Sequence, residues 1–117
     1  MPQDDIGNDL KDLTLEELQA TRNDMLRLEN KDAAKAAGDV TFDNYFDTLV
    51  RIQDAIRNLE NAELLKLLQQ LRSNESALRE GLKDLKQARQ NIAHVKGFLK
   101  AATTVLKVVG KVVKAVS

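Results

Sequence analysis

The sequence predicts an all-α protein: a helical hairpin or a three- to four-helix bundle with a very long C-terminal helix and coiled-coil-like packing. Three observations carry this expectation. Pro2 is the sole proline of 117 residues, so nothing in the body of the chain forbids long helices. Phe42, Tyr45, Leu49, Ile52, Ile56 and Leu59 follow one another at intervals of 3, 4, 3, 4 and 3, a heptad seam without an error. The apolar residues are mainly Leu, Val, Ile and Ala, with aromatics at Phe42, Tyr45, Phe46 and Phe98 alone. Such a core suits helix-on-helix packing better than an enzyme cleft.

A chain of this length reads as one domain, residues 13–117, behind a loose acidic tail, residues 1–12. Thr14-Leu15-Glu16-Glu17 has the form of a capping box, and Leu13 and Leu18 stand where a hydrophobic staple would close the helix entry. This predicts a first helix over 14–37 with Leu18, Thr21, Met25 and Leu28 on one stripe, stopped by Gly38. A second helix, 42–60, is opened by Thr41, with Val40 and Tyr45 placed for another staple. After Leu59 the interval jumps by 5 to Leu64, which puts a tight turn near Asn61; the alternative is a helix running through Asn61.

From Leu64 a third helix is expected over 62–116. Its seam is Leu64, Leu68, Leu71, Glu75, Leu78, Leu82, Leu85, Arg89 and Ile92, alternating 4 and 3. It then slips by 3 to Val95 and resumes through Leu99, Ala102, Leu106, Val109, Val113 and Val116. Such a slip overwinds a coiled coil locally or marks a change of partner, and Gly97 offers a bend nearby. Unbroken, this helix would run roughly 80 Å at 1.5 Å per residue, more than two shorter helices cover. Either the last stretch folds back as a fourth helix or it needs a surface from outside the monomer. The shortfall predicts a homo-oligomer or a partner protein, engaged through Leu64, Leu68, Leu71, Leu78, Leu82, Leu85, Ile92, Leu99, Leu106, Val109 and Val113. Glu75 and Arg89, polar at seam positions, are the candidates for setting register, by pairing with opposite charges across a helix interface or by facing a wet gap.

Charge is sorted along the chain. Residues 1–63 hold 7 Lys/Arg against 15 Asp/Glu, and residues 64–117 hold 11 against 3, so a formal net charge of zero hides halves of −8 and +8. No acid follows Asp84. Asp43, Asp47 and Asp54 share one side of the second helix, and Arg72, Arg79, Lys83 and Lys86 one side of the third, as stripes that select a partner do. On a helical wheel Lys96, Lys100, Lys107, Lys111 and Lys114 fall within about 60° of one another, opposite a broad Val/Leu face. Six valines between 105 and 116 make this helix a poor one alone in water, so its apolar face needs a cover. The cover is either protein or the acyl boundary of an anionic membrane, with the lysines in the headgroup layer.

Other function classes find little support. Cysteine is absent, which removes thiolate chemistry and Cys-based metal sites. His94 is the single histidine, without a nucleophile or an orienting acid nearby. Asp43 and Asp47 lack a third ligand or a calcium-loop pattern, and Gly81 and Gly97 fit no phosphate-binding loop. No cofactor, metal or small-molecule substrate is expected. Nucleic acid is not expected either, because the basic half lacks arginine clusters and aromatic platforms and the acidic half would repel phosphate. The start, MPQDDIGND, is unlike a signal peptide, and the uncharged run Ala101–Leu106 is far short of the ~20 residues of a spanning helix. The expected role is a non-catalytic interaction or assembly module, cytoplasmic or peripheral at a membrane. The alternatives are a membrane-surface or membrane-active protein, and a small immunity-, chaperone- or adaptor-type protein that shields another protein's surface.

Overall fold

A computed structural model describes residues 5–116. They form six helices and no strand: α1 (Asp5–Met25), α2 (Leu28–Ala36), α3 (Asp39–Asn61), α4 (Leu64–Ser73), α5 (Glu75–Arg89) and α6 (Val95–Val116). The four longest make the bundle. α1 packs on α3, α3 on α6, α6 on α5 and α5 on α1, closing a ring. Side-chain contacts fix the directions. Arg89 at the end of α5 meets Glu17 and Asp24 of α1, so these two helices run parallel. Tyr45, near the start of α3, donates to the Met25 carbonyl at the end of α1 and stands 6.3 Å from the Phe98 ring at the start of α6. The bundle is therefore up-down-up-down, in a molecule measuring 51 by 24 by 19 Å. α4 packs on both α1 and α6, which are diagonal in the ring, and so covers the far end of the bundle.

α3 is the helix its sequence describes best. Tyr45, Leu49, Ile52, Ile56 and Leu59 are buried and Phe42 half-buried against them. Gly38 separates α2 from α3 at φ 111°, a left-handed conformation that favours glycine, and thereby acts as the expected stop. Glu63 caps α4, its carboxylate accepting from the Lys66 backbone N–H at 2.8 Å, which makes the turn after Asn61. The staple between Val40 and Tyr45 does not form, because Val40 is 75% exposed and α3 already begins at Asp39.

The start of the chain differs from expectation. Residues 5–12 belong to α1 rather than to a loose tail, and residues 1–4 of that tail lie outside the described residues. Thr14 sits inside this helix; its hydroxyl donates back to the Leu10 carbonyl at 2.6 Å instead of capping forward. The face α1 turns inward is Gly7, Leu10, Thr14, Glu17, Leu18, Thr21 and Met25, a 3–4 spacing written largely in small and polar residues. Leu13 is exposed and makes no staple, and Leu28 lies outside the stripe at 69% exposure because the helix breaks at Leu26-Arg27. Gly7 permits the close approach of α4. A Cβ there would stand 2.9 Å from Leu68 Cβ and 3.2 Å from the Leu68 carbonyl oxygen. Gly7→Ala should therefore destabilise the fold by about 1–3 kcal/mol through overpacking. Gly110, whose Cβ would meet nothing within 4 Å, should gain about 0.5–1 kcal/mol on the same change. Urea melts of the two variants check the opposite signs.

The single helix expected over 62–116 is three. Asn74 ends α4 by donating its side-chain amide to the Gln70 carbonyl at 2.8 Å, and α5 starts one residue later. Residues 90–94 then reverse the chain, the His94 N–H closing onto the Asn91 carbonyl at 3.1 Å, so the break precedes Gly97 rather than falling at it. The seam's slip between Ile92 and Val95 coincides with this reversal. α6 thus folds back along α5, with Gly81 lying against Val105. The shortfall of cover inferred for one long helix does not arise.

Candidate functional site

α6 buries Val95, Phe98, Ala102, Val105, Val109 and Val112. Its valine-rich face is thus covered by α3, α4 and α5, and that burial offsets the poor helix propensity of β-branched residues. What remains outside is a ridge. Lys96, Lys100, Lys107, Lys111 and Lys114 are all exposed, and the helix carries no carboxylate. Between this ridge and α3 runs an open groove lined by Lys96, Lys100, Lys107 and Arg51, with the threonines 41, 48, 103 and 104 between them. Asp47 is the one carboxylate on its walls. A smaller continuation beside Leu106 and Val113 brings Asp54 and Lys114 to its sides.

The seam residues expected at an interface are placed differently. Leu68, Leu71, Leu78, Leu82, Leu85, Ile92 and Val109 are buried in the core of the monomer, with Leu99, Leu106 and Val113 half-buried against it. Leu64 is 47% exposed at the start of α4. Glu75 pairs with Arg79 one turn along its own helix at 2.7 Å and so crosses no interface.

Arg89 does cross one, inside the chain. Its Nε and Nη2 donate to the two oxygens of Glu17 at 2.7 and 3.2 Å, and its Nη1 donates to Asp24 at 2.9 Å. Thr21 borders the cluster, its hydroxyl donating to the Glu17 backbone carbonyl at 2.7 Å with the Glu17 carboxylate a second acceptor at 3.1 Å. The hydrogen bond to Glu17 leads the forces that raise the guanidinium's pKa, against the opposing effect of burial. The sequence held a signal for this pair: two polar residues of opposite sign, each at a core position of its helix. Every carboxylate oxygen of Glu17 is engaged, so the cluster is a latch between α1 and α5 rather than a reactive centre.

Burial, and then the charge of Asp24, push the Tyr45 hydroxyl up to about 12 from 10.0. Because the folded protein holds this proton longer than the unfolded chain, the contribution to stability is complete below pH 10 and is lost as pH rises towards 12. Tyr45 is the single tyrosine, so tyrosinate absorbance reports it alone. The expected titration of the folded protein lies well above that of the urea-unfolded chain; coincident curves would contradict the buried hydroxyl.

Among the described residues no group of His, Cys, Asp and Glu could hold a metal ion, and no helix is long and apolar enough to cross a membrane. His94 is exposed in the turn between α5 and α6. No protein-family model, curated protein or solved structure matches the chain.

Proposed function

We propose that the protein is a non-catalytic binding module whose working surface is the α6 lysine ridge and whose partner is an acidic protein surface. The observation that carries this reading is the groove between α3 and α6, where Lys96, Lys100, Lys107 and Arg51 gather with no ion pair among the described residues. Unpaired cations beside hydroxyl donors favour a carboxylate-bearing segment laid along the groove. A protein partner is supported over a lipid surface for two reasons. The apolar face that an interfacial helix would insert into lipid is occupied by the core. A broad anionic plane resting on the ridge would also bring its charge against Asp47 and Asp54, which stand on the α3 side.

The test is titration with a glutamate-rich helical peptide and, separately, with anionic vesicles. The peptide should bind in a salt-dependent manner, and the triple variant K96Q/K100Q/K107Q should bind it about tenfold more weakly, at the scale of a few exposed charge pairs. Undiminished peptide binding by that variant, or binding to vesicles alone, would overturn the reading.

A further inference from the structure

Resting on that reading, we infer that the acidic surface taken by the α6 ridge is α3 of a second copy, so that the α3/α6 face forms a two-fold dimer. The two helices are neighbours, run parallel and carry opposite stripes. On α3, Asp43, Asp47 and Asp54 are exposed at intervals of 4 and 7; on α6, Lys96, Lys100 and Lys107 are exposed at the same intervals of 4 and 7. The stripes also lie at similar heights in the bundle, since Asp47 and Arg51 share the groove with Lys100 and Lys107.

A two-fold axis parallel to the bundle preserves height and helix direction while exchanging the two ridges. It sets α6 of each copy opposite α3 of the other, so that each lysine meets an aspartate within reach of its flexible stem. The face is self-complementary, and the contact closes at two copies instead of extending into a filament. One local feature fits the arrangement: Asp54 already meets Arg57 at 3.5 Å in an exposed pair that leaves the carboxylate open to another cation. Arg51, between the stripes, lies near the axis and faces its counterpart in the other copy, a like-charge contact that further limits the affinity. The face is otherwise lined by threonines and a few apolar side chains, chiefly Val40 and Leu99. Exposed charge pairs contribute little each, so the dimer is weak and salt-sensitive.

The experiment is molar mass by sedimentation at about 100 µM chain in low salt and again at about 0.5 M salt, where screening shortens the reach of exposed charges to a few ångströms. Wild type should move from twice the 13.1 kDa chain mass to the monomer. K96E/K100E/K107E and D43K/D47K/D54K should each be monomeric alone in low salt, with helical content unchanged, and an equimolar mixture should give a 1:1 dimer. Should a reversal variant misfold, K96Q/K100Q/K107Q serves in its place and should weaken the wild-type dimer about tenfold. A monomeric wild type in low salt, a dimer indifferent to the lysine substitutions, or a mixture that stays monomeric would each overturn the dimer. The peptide titration is independent of this result: a monomer that still binds the acidic peptide through the ridge loses only the second copy as partner.

Discussion

Truncating Phe98 to alanine should lower stability by about 3–5 kcal/mol, the range for removing a fully buried aromatic ring. Phe98 is 1% exposed in the first turn of α6, and its ring lies 6.3 Å from that of Tyr45. It is the largest fully buried apolar side chain, at the end of the bundle where α1 and α5 finish and α3 and α6 begin. The cavity would open beside the Tyr45 ring, in a site that is closed to solvent. A domain of this size has only about 5–15 kcal/mol in total, so the variant should be marginal at 37 °C. Lys100→Ala, two residues further along but on the exposed ridge, should change stability by less than about 0.5 kcal/mol. Thermal melts that showed the two equally mild would place Phe98 outside the core.

Arg89→Ala is expected to cost about 2–4 kcal/mol. The loss of attraction is the smaller part. Glu17, whose side chain is 9% exposed, would keep its charge with only a share of the Thr21 hydroxyl proton, and Asp24 would lose its partner as well. Arg89→Lys should recover no more than about half of the loss, because an ammonium cannot make the two-pronged contact with Glu17 and also reach Asp24. Removing both charges, Glu17→Leu with Arg89→Leu, should be milder than Arg89→Ala alone, since no uncompensated carboxylate stays buried. Urea melts of the four proteins measure this directly. A double variant less stable than Arg89→Ala would mean that the pair acts otherwise than as a latch.

How much of this was legible in the sequence follows from which residues occupy the core positions. α3 declares itself because its inward positions from Tyr45 to Leu59 are almost all large and apolar. α1 conceals itself because Gly7, Thr14, Glu17 and Thr21 occupy the same kind of position, and a threonine can cap a helix forward or bond back into it with equal chemistry. The division of the C-terminal half was hidden for another reason. Asn74 interrupts the helix without disturbing the interval from Leu71 through Glu75 to Leu78, so the seam reads on across a break. Glu75 and Arg89 were its marks. They stand in the first and last turns of α5, where an acid and a base complement the helix dipole. Their polarity at seam positions coincides with the ends of α5, and Arg89 in addition reaches across to Glu17 and Asp24 of α1. The lysine ridge, by contrast, was fully legible, since a helical wheel needs no knowledge of packing. What covers the opposite face was not, because valines suit protein and lipid alike.

α6 is thus a core helix whose charged side chains, all lysines, face outward. Amide hydrogen exchange on the isolated protein in high salt tests it most directly. If α6 packs as described, the amides of Val105, Val109 and Val112 should exchange as slowly as those of Leu49 and Ile52, because all open only with the whole bundle. Fast exchange across α6 while α3 stays protected, with protection appearing only when anionic vesicles are added, would contradict it.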